Sequence, residues 1–209
     1  MSELQIFDCT QGEDAWYACR AGIPTASEFS TVLAKCRGGG ESVTRRKYML
    51  TLAAERIAGP SPFDRYSNGA MQRGHEYEQE ARDMYQLITG HDVEQIGFMR
   101  RGDVGYSPDG LIGGDGLLEI KTKAYALHID CLLKDEVPSE HIAQVQGGLW
   151  VSGRQWLDFC SYSSGLPIFI KRVPRDHQRI AEIAVAVEKF IEELLATERL
   201  IRKYRRPAQ

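Results

Sequence analysis

Between Gly105 and Lys123 the chain reads GYSPDGLIGGDGLLEIKTK, laid out as a short antiparallel pair with the acid Asp109 on one strand and the acid Glu119 with Lys121 on the next. Asp109 follows Ser107-Pro108, and Leu111 and Ile112 lead into Gly113-Gly114-Asp115-Gly116. Such a cluster of turn residues supplies positive φ and predicts a hairpin. After the turn, Leu117 to Thr122 alternates. Side chains on a strand point to opposite faces at period 2, so Glu119 and Lys121 share one face while Leu118 and Ile120 take the other. With Asp109 near the start of the partner strand, all three charged groups can converge on one point. Carboxylate oxygens suit a hard ion such as Mg²⁺, which keeps waters and adds substrate phosphate oxygens to one or two carboxylates. Phosphodiester hydrolysis fits that arrangement. The alternative is that these charges form only the solvated face of a hairpin, their commonest use.

The hairpin needs elements to hold it. Gly12-Glu13-Asp14-Ala15-Trp16 and Tyr17 to Arg20 read as a short amphipathic helix with Trp16 inward. Thr25-Ala26-Ser27-Glu28 reads as a capping box opening a helix to about Lys35, apolar at Phe29, Val32 and Leu33. Cys36 to Glu41 is a glycine-rich loop, and Arg45 to Ala58 is a helix stopped by Gly59-Pro60. Its apolar positions are Tyr48, Met49, Leu52 and Ile57. Ser61 to Gly69 is rich in turn residues, and Ala70 to Thr89 is helical with Tyr77, Ala81, Met84, Tyr85 and Ile88 inward. A strand at Val93 to Met99 precedes the hairpin, and Ala124 to Leu133 is helical. Ser139 caps a helix through Gln144 and Trp150. Strands at Trp156 to Tyr162 and Pro167 to Val173 complete the sheet before a long helix from about Arg175. The order predicts an α+β fold, a central mixed sheet flanked by helices.

The 209 residues, 43% hydrophobic, predict a single domain over 1–209 with a sizeable core. No long apolar run or basic-then-apolar leader is present, so a cytoplasmic protein without a membrane span is expected. Five scattered cysteines, none in a C-x-x-C pair, argue against a disulfide framework, a zinc ribbon or an iron–sulfur cluster. The net charge of −3 is unevenly spread. Basic residues dominate from Lys35 to Arg73, whereas acids dominate from His75 to Glu94.

Pro-Asp, then Glu-x-Lys, matches the P-D…E-x-K signature of a large nuclease superfamily. Several further stretches, QGEDAW with Arg20, TASE with Ala34-Lys35, RGHEYEQEAR, SPDGL, LEIK and AQVQGGLW, fall in one family's order. From about Gln11 to Trp156 the chain resembles the phage lambda exonuclease family, the alkaline exonucleases of viral recombination systems. The resemblance implies a restriction-endonuclease-like core and a metal-dependent 5′→3′ exonuclease on double-stranded DNA ends. Such an enzyme releases mononucleotides, leaves 3′ overhangs and forms a homotrimeric ring around the duplex. It also implies a single-strand annealing protein as partner, a phage or prophage origin, and two Mg²⁺ ions per site for which Mn²⁺ can substitute. An endonuclease with the same catalytic core, or a DNA-end binding protein that kept the fold, are the rival readings.

On this resemblance Asp109 and Glu119 would hold the metal with the backbone carbonyl of Ile120, and Lys121 would position and help deprotonate the attacking water. Glu78 would reach the second metal or the water, although Glu78 and Arg82 at i, i+4 also suit an exposed helix pair. Gln144 would orient the water or the scissile phosphate, or else stand as a helix flank beside Val145. Arg20, Ser27 and Ser107 would form a 5′-phosphate pocket, since a guanidinium and hydroxyls bind phosphate oxygens well. Met71 would be an apolar wedge that parts the terminal base pairs, or a core methionine. Arg45, Arg46 and Lys47 suit either duplex phosphates or a solvated helix start. His141 stands where the family has an aromatic hydroxyl, so it stays outside the site set.

Overall fold

The computed structural model describes residues 2–35, 42–60 and 69–204, with the side chains of 69–76 excepted. The predicted hairpin forms from β5 (Gly110–Ile112) and β6 (Gly116–Thr122). Strand β7 (Trp156–Tyr162) runs parallel to β6, and β8 (Phe169–Pro174) pairs antiparallel with β7. A two-residue strand β2 (Val93–Glu94) closes the other edge, giving a five-stranded mixed sheet of order β2-β5-β6-β7-β8. Parallel neighbours require a crossover. Helices α5 (Tyr125–Lys134) and α6 (Ser139–Ser152) supply it between β6 and β7.

Alternation within the strands divides the core in two. Leu111, Leu117, Leu157 and Phe159 pack with Val145 and Leu149 of α6 and with Val187 and Phe190 of α7 (His177–Arg202). On the opposite face Ile112, Leu118, Ile120 and Cys160 pack with Ala81 and Tyr85 of α4 (Gly69–Thr89). Helix α7 begins at Asp176, whose carboxylate accepts the Arg179 amide at 3.0 Å. Helix α3 (Val43–Ala58) begins at Ser42 and lies against α7, where Tyr48 stacks on Phe190. The α+β class with a mixed sheet flanked by helices is therefore observed.

Several local expectations change. The strand expected over Val93 to Met99 is broken: β2 joins the large sheet, while β3 (Phe98–Arg101) joins β4 (Val104–Tyr106) and β1 (Leu4–Phe7) in a separate three-stranded sheet. The Thr25–Glu28 capping box does not form. Thr25 is held by a bridge to Gly105, its hydroxyl meets Ser27 Oγ, and Glu28 accepts the Thr31 hydroxyl at 2.7 Å. A 3₁₀ turn (Ala26–Glu28) leads instead into α2 (Phe29–Leu33), shorter than expected. Ser139 is the first residue of α6 rather than its cap, which is Pro138. Ile57 is exposed.

On α4 the inward stripe is shifted: Tyr77, Met84 and Ile88 are exposed, whereas Ala81, Arg82 and Tyr85 are buried. The cause is polar. Arg82 has partners on the sheet side of the helix, and a buried guanidinium that is fully hydrogen-bonded rotates the helix toward its acceptors. The loop expected at Cys36 to Glu41 and most of the turn-rich segment at Ser61 to Gly69 lie outside the described residues.

Candidate active site

Strand register brings the acids together. Asp109, one residue before β5, donates its amide to the Leu118 carbonyl at 3.2 Å, and its Oδ2 accepts the Ile120 amide at 2.6 Å. The amide and carbonyl of one strand residue point to the same edge. The Ile120 carbonyl is therefore turned toward Asp109 as well. Glu119 reaches toward Gln144 of α6 and is only 2% exposed. Its Oε2 accepts the Tyr106 hydroxyl at 2.8 Å, while its Oε1 accepts both Gln144 Nε2 and Lys121 Nζ, the latter at 2.7 Å.

Helix α6 can approach Tyr106 because its middle carries no side chain there. A Cβ at Gly148 would stand 2.8 Å from the Tyr106 ring. Glycine costs a helix interior roughly 1 kcal/mol, and here it admits the ring that steadies Glu119. Sequence reasoning missed Tyr106. Its position three residues before Asp109 in GYSPDG was the available signal.

Arg82 was also missed as a functional residue. It is 4% exposed, donates Nε to the Asp109 carbonyl at 3.2 Å, and donates a terminal nitrogen to Glu78 Oε1 at 2.7 Å. The i, i+4 pair thus exists but is not an exposed one. It ties Glu78 to the backbone of the metal-type acid. A cleft of about 430 Å³ opens here, lined by Glu78, Arg82, Asp109 and the Asp8–Gln11 segment.

The electrostatics follow from the crowding. Burial, then the facing charges of Glu119 and Glu78, hold the Asp109 carboxyl well above the usual carboxylate range. Burial alone would lower the Lys121 pKa, but Glu119 and Asp109 more than offset it and leave it raised, so Lys121 is an ammonium. Burial and the neighbouring Glu119 keep the Tyr106 phenol protonated. Burial, with Lys123 and Lys121 adding, lowers His141 to about 4, so its Nε2 accepts from Lys123 Nζ at 2.9 Å.

The residues fit a divalent ion of the Mg²⁺ kind. Among the described residues no cluster of three His, Cys, Asp or Glu forms a ready cage. Two carboxylates and one backbone carbonyl are nevertheless the protein share of a site completed by waters and phosphate oxygens. A nearby cation would relieve the charge crowding that raises the Asp109 pKa.

A second site of opposite sign adjoins the first. Ser107 Oγ accepts from Arg20 at 3.1 Å and from the Trp16 indole at 2.9 Å, and the Arg20 guanidinium lies 3.9 Å from the centre of the Trp16 ring. Helix α1 (Asp14–Arg20) presents both side chains. Because Ser107 Oγ already accepts twice, its own proton is available to an incoming oxygen. Ser27 is not bonded to either residue; its hydroxyl pairs with Thr25. The Met71 side chain lies outside the described residues. Arg45 does not extend as a free helix-start charge, since it pairs with Glu193 at 2.7 Å and lies over Phe190.

The YqaJ-like viral recombinase domain matches residues 15–155. The chain belongs to that family. The alkaline exonuclease LHK-Exo of Laribacter hongkongensis is similar to it. In complex with dAMP, LHK-Exo is 36% identical over 91% of this chain and 97% of its own, with a TM-score of 0.83. Another crystal structure of LHK-Exo gives 35% identity over 91% and 97%, with a TM-score of 0.82. A phage-related exonuclease of Haemophilus somnus 129PT, 16% identical over 84% and 96% with a TM-score of 0.61, shares the fold. No curated protein matches. Membership of this viral recombinase family, with an alkaline exonuclease as homologue, carries a general requirement for a metal. No described helix is long and apolar enough to cross a membrane.

Proposed function

We propose that this protein is a Mg²⁺-dependent 5′→3′ exonuclease acting on double-stranded DNA ends, releasing 5′-mononucleotides and leaving 3′ single-stranded overhangs. One observation carries the reading. Ser107, in the cationic site with Arg20, and Asp109, in the acid centre, are two residues apart in an extended loop, so their backbones stand at most about 7 Å apart. That is about the step between neighbouring phosphates of a strand. A terminal 5′ phosphate held by Arg20 and Ser107 would set the next phosphate beside Asp109 and Glu119, and cleavage there releases one nucleotide.

Asp109, Glu119 and the Ile120 carbonyl would hold Mg²⁺, with Mn²⁺ as a substitute and Glu78 at the edge of a second ion. The metal supplies charge to the phosphoryl oxygens and lowers the pKa of water. Water attacks the phosphorus in line, the bond from phosphorus to the 3′ oxygen breaks, and that oxygen takes a proton to leave as a hydroxyl. Lys121 places positive charge where the phosphorane develops negative charge. Neutralising Glu119 and Asp109 removes the charges that hold the Lys121 pKa up, which brings it nearer to accepting a proton from water. Gln144 fixes the Glu119 carboxylate and can turn its amide to the water or phosphate. Ser27 would join the 5′-phosphate pocket by a rotation away from Thr25, and Met71 would part the terminal base pair.

The same reading includes a homotrimeric ring, in which basic residues line a channel while the outside stays acidic. It also includes a single-strand annealing partner, recombination of the phage type and a bacterial cytoplasm. Covalently closed circular DNA tests the end requirement. The proposal expects linear duplex to be degraded in Mg²⁺ while closed circles persist. Linearisation of the circles would replace it with the endonuclease reading.

A further inference from the structure

Strands β6 and β7 run parallel and end side by side, and crevices form where parallel strands end and their chains diverge. Here the crevice holds about 360 Å³, between Thr122 at the end of β6, Lys123 just after it, Ser163 after β7, Tyr77 of α4 and Tyr125 at the start of α5. It begins at Thr122, one residue beyond Lys121, and is lined by none of the residues assigned to the acid centre.

Three features of its wall serve no packing purpose. Ser163 is 7% exposed, yet its hydroxyl has no hydrogen-bond partner among the described residues. Leaving a buried hydroxyl unpaired costs free energy that an incoming acceptor would recover. The Lys123 side chain is 10% exposed, and among the described residues it reaches only the neutral His141 imidazole and, at 3.8 Å, an exposed Glu140. Helix α5 begins at this point with no side-chain cap, so its first amides add donors and the positive end of the helix dipole. Around the same crevice, Tyr77 and Tyr125, the latter the first residue of α5, remain 41% and 64% exposed. Tyr162 also lines the crevice but is only 3% exposed. Anion donors and exposed aromatic rings around one crevice match one phosphate and one base.

We propose that this crevice is a nucleotide subsite, in which a base stacks on Tyr125 and Tyr77 while its phosphate is taken by Lys123, Ser163 and the first amides of α5. The inference rests on the nuclease reading above and deepens it by giving the bound strand a hold outside the acid centre. Two sources share this chemistry, the next nucleotide of the strand being degraded and a released mononucleotide.

The test uses the full chain. Duplexes with one 5-iododeoxyuridine at the first, second or third position of a 5′-phosphorylated end are bound in EDTA, irradiated and digested, and the crosslinked peptide is identified by mass spectrometry. The proposal expects a crosslink to Tyr125 or Tyr77, from at least one duplex position or from free 5-iododeoxyuridine 5′-monophosphate irradiated in the same way; crosslinks confined to other peptides in both experiments overturn it. The comparison separates the sources. A strand site crosslinks the duplex, whereas a site for released mononucleotide crosslinks only the free nucleotide, and Tyr125→Ala weakens its direct binding of that nucleotide.

Kinetics give an independent reading. Tyr125→Ala should raise KM for linear duplex by about 5- to 100-fold, the worth of one stacked base, with a much smaller change in kcat. Tyr125→Phe, which keeps the ring, should restore KM. A purely structural role would instead lower the melting temperature and kcat together. If the wild-type protein degrades DNA and Tyr125→Ala has an unchanged KM, the subsite is wrong and the exonuclease reading stands. If the wild-type protein cuts no DNA, the exonuclease reading fails, and the crosslink still decides the subsite.

Discussion

The acid centre around Asp109 and the arginine site around Arg20 share one short loop and carry opposite charge. In the first, burial and facing carboxylates crowd negative charge, and Asp109 holds its proton above the usual range. In the second, a guanidinium lies on Trp16 and bonds to a serine whose hydroxyl proton is still available. One is unsatisfied without a cation, the other without an anion. A DNA end offers phosphates to both, and the pairing teaches that chemistry and end recognition are separable here even though Ser107 and Asp109 are nearly adjacent.

The comparison breaks most sharply under substitution of the acid centre. Asp109→Ala and Lys121→Ala should each reduce hydrolysis of linear duplex by at least about 10³-fold, with DNA affinity in a gel-shift titration changed far less. A wild-type rate in either would remove the centre from the mechanism. Arg20→Ala strikes the other half. It should raise KM for 5′-phosphorylated ends by about 10- to 100-fold, the worth of a charge-assisted hydrogen bond. It should also abolish the preference over 5′-hydroxyl ends, and a preference kept intact would move the phosphate pocket elsewhere.

Smaller changes sharpen the account. Tyr106→Phe removes the donor to Glu119 Oε2 and should cost about 1–2 kcal/mol in thermal or urea unfolding, because a buried carboxylate loses a partner. Its kcat should fall several-fold without a change in end preference. The smallest effect concerns pH. The folded pKa of Asp109 is raised above the ordinary value near 3.9, so folding binds this proton. The stability it contributes is fully present below about 3.9 and is lost as pH rises through the raised value. Metal-free protein should therefore lose melting temperature with rising pH more steeply than Asp109→Asn does, by about 2–4 °C. Added Mg²⁺ should recover that loss only in the wild type.

What was legible in the sequence was local. Asp109, Glu119 and Lys121 lie on one hairpin, and register, with period 2 on the strand, brings them together, whereas the Ile120 carbonyl came from the family resemblance. Gln144 came from a family pattern, and its bond to Glu119 spans a helix crossover that no periodicity reveals. The Arg20–Ser107 contact joins residues far apart in the chain, so chemistry could nominate the pair but not place it. Tyr106 and Arg82 were hidden for a different reason. A tyrosine ending a short strand and an arginine on an acidic helix look ordinary until their buried partners are known. The shifted stripe of α4 has the same origin, since hydrophobic spacing cannot anticipate a buried arginine that bonds to the Asp109 carbonyl on the sheet side.

The central claim is a metal-dependent attack one nucleotide in from a 5′ phosphate. Linear duplex labelled at one 5′ end, with and without the 5′ phosphate, incubated in Mg²⁺ or EDTA and resolved by product size, tests it most directly. The account predicts rapid release of labelled mononucleotide that requires Mg²⁺ and is faster with the phosphate. Label retained on long fragments, or release unaffected by EDTA, would contradict it.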